Sequence, residues 1–180
     1  AQCKADPMTV LLQISDTHFG TERPAVVEAL AAFALAQRPD VVVLSGDITQ
    51  RARRAQFRAA RTFVDRLAAP VLAIPGNHDL PLFDLLARFT RPYGRYREAF
   101  GDQLEPVHAS ADMLVVGLNT SPDLGIGSRQ HAREAAVEEP VRRFGDVEHG
   151  AVGIQHAADA EKGGKETRGV HVGRSGCFVV

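Results

Sequence analysis

The chain has 180 residues, 21 basic and 22 acidic side chains, and 44% hydrophobic residues. That suffices for one globular domain with a core and falls short of a second full domain. The near-neutral balance leaves no electrostatic footprint for nucleic acid, and no apolar run approaches the roughly 20 residues of a membrane span.

The opening AQCKADPM lacks the apolar stretch of a signal peptide, and Met8 reads as the natural start, with residues 1–8 an upstream or disordered segment. Cys3 and Cys177 stand near opposite ends. They make neither a metal pair nor a disulfide framework and point to a reducing, cytoplasmic compartment. Thr9–Ser15 (TVLLQIS) is β-branched and apolar and reads as a buried strand ended by DTHFG. From Arg23 to Arg38 the pattern turns helical, with Val26, Val27, Leu30, Phe33 and Ala34 on one face and Pro39 as the stop. Asp40–Asp47 (DVVVLSGD) is a second buried strand. Arg51–Leu67 is a second helix, with Phe57, Ala60, Val64 and Leu67 at helical spacing, closed by Pro70. Pro70–Asp79 holds a third strand, Phe83–Phe89 and Tyr93–Phe100 two short helices, and Asp112–Thr120 a fourth strand. Strands alternating with helices imply an α/β fold with a largely parallel sheet covered on both faces.

Three polar clusters fall in equivalent places. Asp16 and His18 follow the first strand, Asp47 ends the second, and Asn77 and His78 follow the third. Asp16 to Asp47 and Asp47 to His78 are both 31 residues. Parallel strands put their C-terminal ends at one edge, where open α/β sheets bind ligands. Alone, D-x-H is an ordinary turn with a capping aspartate, S-G-D is bland, and G-N-H-D is a tight turn. Together they form a mixed oxygen and nitrogen set suited to Mn, Fe or Zn. Two such ions need a bridging ligand, and Asp47, on the middle loop, is the natural bridge. Asp16 and His18 then serve one ion and Asn77 the other. Two aspartates leave two divalent ions in positive excess, which suits an anionic phosphate ester. His78, beside Asn77, is placed to give a proton to the leaving oxygen. Arg51, Arg53 and Arg54 crowd the start of the second helix, either facing a phosphate or forming a solvated basic face. Asp79 reads as a support for its neighbours or as a turn acid, and His108 as a surface residue.

ISDTHFG, LSGDITQ and IPGNHDLP resemble the first three motifs of the calcineurin-like metallophosphoesterases. The resemblance covers Thr9 to Thr120. It implies a four-layer α/β/β/α sandwich and two divalent metal ions, with Asp16 and His18 on the first, Asp47 bridging, Asn77 on the second, and His78 catalytic. The reaction it implies is attack of a metal-bound hydroxide on a small phosphate ester. GDITQRARRAQF, PGNHDLP and RFTRPYGRYR are similar to bacterial phosphodiesterases related to cyclic-AMP phosphodiesterase, rather than to the phosphoprotein phosphatases, whose motifs read G-D-x-V-D-R-G and G-N-H-E.

After VVGLNT the family pattern stops. The superfamily continues with a strand ending in a histidine and then G-H-x-H, and this chain has no G-H-x-H. Residues 121–180 hold ten of the 16 glycines and only Phe144 and Phe178 as aromatics. AEKGGKETRGVHVGRSG reads as linker or disordered sequence. His156 and His171 are the remaining weak ligand candidates. The change of composition near Ser121 reads as a frameshift or truncation that leaves the sandwich incomplete at its C-terminus. On that account the alternative to an enzyme is a non-catalytic metal- or phosphate-binding module, or an inactive truncated product.

Overall fold

Three parallel strands set the frame. In the computed structural model, which describes residues 9–119, Ser121 and the backbone of 169–174 and 176–179, β1 (Val10–Ser15) pairs with β2 (Val41–Ser45), and β2 with β3 (Val71–Ala73). β1 and β2 are apolar along nearly their whole length, and every residue from Leu11 to Ser15 and Val41 to Ser45 is buried. Such continuous runs mark strands covered on both faces. Pro70 and Pro75, which cannot donate to a ladder, bracket β3 and keep it to three residues.

Side chains alternate across the sheet. Leu12, Ile14, Val42 and Leu44 face a helical layer and pack into one core with Ala31, Ala34, Phe57, Ala60, Phe63 and Tyr96. That layer contains α1 (Pro24–Gln37), α2 (Arg54–Val64) and, after the short exposed α3 (Leu85–Thr90), α4 (Gly94–Phe100). The α1 stripe differs from the expected one. Ala31 and Ala34 are buried and Val27 and Leu30 partly so, whereas Val26 and Phe33 are exposed. Positions 27, 30, 31 and 34 form one narrow ridge, and small alanines let the helix approach the sheet closely. In α2 the expected Phe57, Ala60 and Val64 are buried, joined by Phe63.

The opposite face meets a second sheet. Leu11, Val41, Val43 and Ile74 pack against Met113 and Val115 of β5 (Met113–Val116). β5 therefore does not extend the parallel sheet, as the strand-helix alternation suggested. It pairs antiparallel with β4 (Val107–Ala109) and parallel with β7 (Gly176–Val179). The sheet orders are β3-β2-β1-β6 and β4-β5-β7, with β6 (Gly169–Arg174) antiparallel to β1. The described residues thus form the α/β/β part of an α/β sandwich.

Two expectations for the tail change. The end of the stretch read as linker lies in β6, and β7 follows it. His171 has its backbone opposite Gln13, in the middle of β1 rather than at the C-terminal ends of the parallel strands. His156 and the proposed frameshift region, 122–168, lie outside the described residues. His108, read as a surface residue, sits half-buried in β4.

Candidate metal centre

At the C-terminal ends of β1 and β2 the two following loops run side by side. Asp16 donates its N–H to the Ser45 carbonyl at 3.1 Å, His18 to Asp47 at 2.9 Å and Phe19 to Ile48 at 2.8 Å. The chain accommodates this by placing Asp16 (φ 54°) and His18 (φ 47°) in the left-handed region, which is costly for residues bearing a Cβ. Strain of this kind, held by surrounding contacts, concentrates at functional sites. Two glycines make the close approach feasible. A Cβ on Gly46 (φ 71°) would lie 2.5 Å from Asp16 Oδ1, and one on Gly76 would fall on Asp47 Oδ1.

Asp47 is the hub. Its N–H donates to Asp16 Oδ1 at 3.2 Å. Its Oδ1 accepts the His78 N–H at 2.9 Å. Its Oδ2 lies 4.0 Å from Nε2 of His18 and 4.0 Å from Nε2 of His78. The Asn77 carboxamide lies against the same carboxylate. With its nitrogen turned inward it donates to both oxygens, at 2.9 and 3.2 Å; turned the other way, its oxygen faces them, an arrangement that a shared cation relieves. All five residues read from the sequence therefore gather about Asp47, on three loops. Burial is the main cause that pushes the Asp47 carboxyl above the usual carboxylate range, against the His78 N–H and the two imidazoles.

The imidazoles are held by different means. His18 is fully buried. His78 is partly exposed and meets His18 edge to face, with ring centroids 5.4 Å apart. His78 Nδ1 lies 3.0 Å from the Gln50 carbonyl, so it carries the hydrogen and donates, and Nε2 is left facing Asp47. A backbone carbonyl on the far nitrogen is the usual support of a metal-binding or proton-transferring histidine.

One ligand atom from each of His18, Asp47 and His78 lies within 4.8 Å of the others. An ion with bonds of about 2 Å holds its ligand atoms about 3–4 Å apart, so these donors suit one with modest closure. Two imidazoles and a carboxylate are the donor chemistry of first-row divalent metals. His78, read from the sequence as a proton donor, thus also stands among the atoms able to hold an ion.

Asp79, which the sequence leaves open between a support and a turn acid, has a partner that no motif marks. It is buried and takes four donors: the N–H groups of Ile48 (3.1 Å), Thr49 (2.7 Å) and Gly76 (3.0 Å), and the Thr49 hydroxyl (2.7 Å). Burial outweighs these donors and pushes its carboxyl up to about 7. It ties the loop after β2 to the turn after β3. A second tie is longer in sequence. Asn119 Nδ2 donates to Tyr93 Oη at 2.9 Å, Asn119 Oδ1 accepts the Ser121 N–H at 3.0 Å, and the Ser121 hydroxyl donates to the Pro75 carbonyl at 3.3 Å. Two of the three arginines have side-chain engagements away from the metal loops. Arg54 pairs with Glu98 at 3.3 Å, and the Arg51 guanidinium lies 5.8 Å above the Phe83 ring.

The family model for calcineurin-like phosphoesterases matches residues 9–124. The chain belongs to this family. It is 38% identical over 81 residues to glycerophosphodiester phosphodiesterase GpdQ of Enterobacter lignolyticus, covering 39% of this chain and 29% of that protein. It is 37% identical over 86 residues to a probable cyclic nucleotide phosphodiesterase of Synechococcus sp., covering 42% and 34%. The aligned part therefore spans about a third of each relative. Among solved structures, purple acid phosphatase PPD1 from yellow lupin seeds superposes with a TM-score of 0.56 at 11% identity, over 73% of this chain and 28% of that one, a likeness of fold. No helix of the described residues is long and apolar enough to cross a membrane.

Proposed function

We propose that this phosphoesterase-family chain is a metal-dependent phosphodiesterase acting on a small phosphodiester. The observation that carries the reading is the convergence of His18, Asp47 and His78 on one point at the sheet edge. In this reading Asp16, His18, Asp47 and Asn77 would hold two divalent ions, Mn, Fe or Zn. Ions held there supply positive charge that polarises the phosphoryl group. The residues do the rest. Asp47 and Asp16 together carry less charge than the two ions, so the site keeps a net attraction for an anionic ester. Gln50 holds Nδ1 of His78 and so points Nε2 into the site. With Nδ1–H held by the Gln50 carbonyl, Nε2 donates from the imidazolium form, and its proton passes to the oxygen of the departing alcohol as water replaces that oxygen on phosphorus. Asp79 keeps the His78 turn against the Asp47 loop, and the Ser121 hydroxyl braces the start of that turn at Pro75.

The test is hydrolysis of bis(p-nitrophenyl) phosphate by the chain supplied with Mn²⁺, with Asp47→Asn as control. The reading expects turnover that the substitution abolishes. Absence of turnover with Mn, Fe, Zn and Ni alike would sink it for this chain.

A second reading is favoured by the atom grouping: His78 is itself a metal ligand. Metal content of His78→Gln separates the two. A proton donor leaves the bound metal unchanged, and a ligand does not.

A further inference from the structure

Residues 82–89 break the ordinary rule of burial. Nine large hydrophobic side chains are exposed among the described residues, and five of them, Leu82, Phe83, Leu85, Leu86 and Phe89, fall in this one stretch. They are between 57% and 76% exposed, and α3, which carries three of them, buries no residue at all. A cluster of this density marks a surface that meets something apolar.

The charges around it show what kind of surface that is. Of the ten arginines in residues 51–97, Arg54, Arg61, Arg66, Arg95 and Arg97 pair with carboxylates, while Arg51, Arg88 and Arg91 lie in or beside the patch. Beside the patch, the Arg51 guanidinium covers the Phe83 ring. Arg88 lies in α3 and donates to the Pro81 carbonyl, which leaves its charge unneutralised, and Arg91 is exposed at the helix end. The one acidic residue of the segment, Asp84, has its carboxylate occupied by the Ala87 N–H and the Arg95 guanidinium, each at 3.0 Å. Leucine and phenylalanine rimmed by arginine are the composition of elements that lie in the interface of an anionic bilayer. A second copy of the chain fits less well. A two-fold contact brings the same patch against itself and would set Arg88 and Arg91 near their own copies.

We propose that the Leu82–Arg91 segment docks the protein on an anionic phospholipid surface, with its leucine and phenylalanine side chains in the headgroup–acyl boundary and Arg51, Arg88 and Arg91 on the lipid phosphates. The segment begins three residues after Asp79, and Arg51 follows Gln50, whose carbonyl holds His78. Docking therefore turns the metal-site edge toward the headgroup layer. The inference does not depend on the reaction, since lipid binding is read without metal or turnover.

The test is co-sedimentation of the full 180-residue chain with phosphatidylcholine vesicles, with and without about 30 mol % phosphatidylserine. The expected result is retention on the anionic vesicles alone, lost at about 0.5 M salt. The pair Leu86→Ser and Phe89→Ser should weaken retention by roughly tenfold for each side chain. Arg88→Glu with Arg91→Glu should abolish it. Both pairs lie outside the core and should keep the thermal transition of the parent. No retention overturns the proposal, as does equal retention on neutral vesicles or retention that neither pair alters. Self-association in sedimentation velocity that Leu86→Ser and Phe89→Ser dissolve would assign the patch to a second copy and overturn it too.

Discussion

Asp79 Oδ1 accepts both the N–H and the hydroxyl of Thr49, each at 2.7 Å. This double contact makes a turn acid into the joint between two ligand loops. Its second oxygen takes two further N–H groups, so the carboxylate has donors on every side. Asp79→Asn keeps the volume but in either orientation turns an NH₂ toward at least one buried N–H group. The expected loss is about 2–3 kcal/mol, read from the urea midpoint. Thr49→Val removes only the hydroxyl and should cost about 1 kcal/mol.

Gly76 is required by proximity rather than by its backbone angle. Its φ is −93°, open to any residue, yet a Cβ there would fall on Asp47 Oδ1 and lie 2.8 Å from the Asp47 nitrogen. Gly76→Ala should therefore displace Asp47, destabilise by about 1–3 kcal/mol and lower metal affinity together. Titration calorimetry with Mn²⁺ would show the second effect. An alanine variant with unchanged affinity would contradict the close packing.

His18 and His78 approach the same oxygen of Asp47 at the same 4.0 Å but differ in burial. His18→Gln should lose bound metal, because no other described imidazole reaches that side. His78→Gln should lower turnover most for esters with poorly leaving alcohols, since those depend on a proton donor. Elemental analysis and a comparison of leaving groups would read the two effects separately.

Metal removal should weaken the fold as well as the chemistry, because the ligand loops are joined through Asp47. Metal at 100 times its dissociation constant should add about 2.7 kcal/mol, and a chelator should remove that gain. Thermal denaturation with Mn²⁺ and with EDTA would measure it. Coincident melting curves would mean that the folded chain binds no ion.

Much of the site is legible in the order of residues along the chain. Repeated strand-then-polar-cluster units locate Asp16, His18, Asp47, Asn77 and His78, because parallel strands deliver their ends to one edge whatever the details of packing. Prolines and the helical period mark the elements as far as Gly101. Which sheet a strand joins is not legible. Met113–Val116 is apolar throughout, and such a run fits either sheet equally well, so only its contact with Leu11, Val41 and Val43 places it across the core. The strands at Gly169–Arg174 and Gly176–Val179 are hidden for a related reason. Glycine-rich sequence has little strand preference of its own, and pairing with β1 and β5 supplies the order.

The donor types and the edge at which they meet follow from local order along the chain. Packing of the loops against one another sets Asp47 against all four of the others, turns His78 Nε2 into the site because Gln50 holds Nδ1, and joins Asp79 to Thr49 across 30 residues. These are contacts between loops, and a hydrogen bond between loops depends on distances of tenths of an ångström that no residue pattern encodes. The exposure of Phe83, Leu86 and Phe89 belongs with them, because an apolar run shows its preference for burial but not whether the fold has room to bury it.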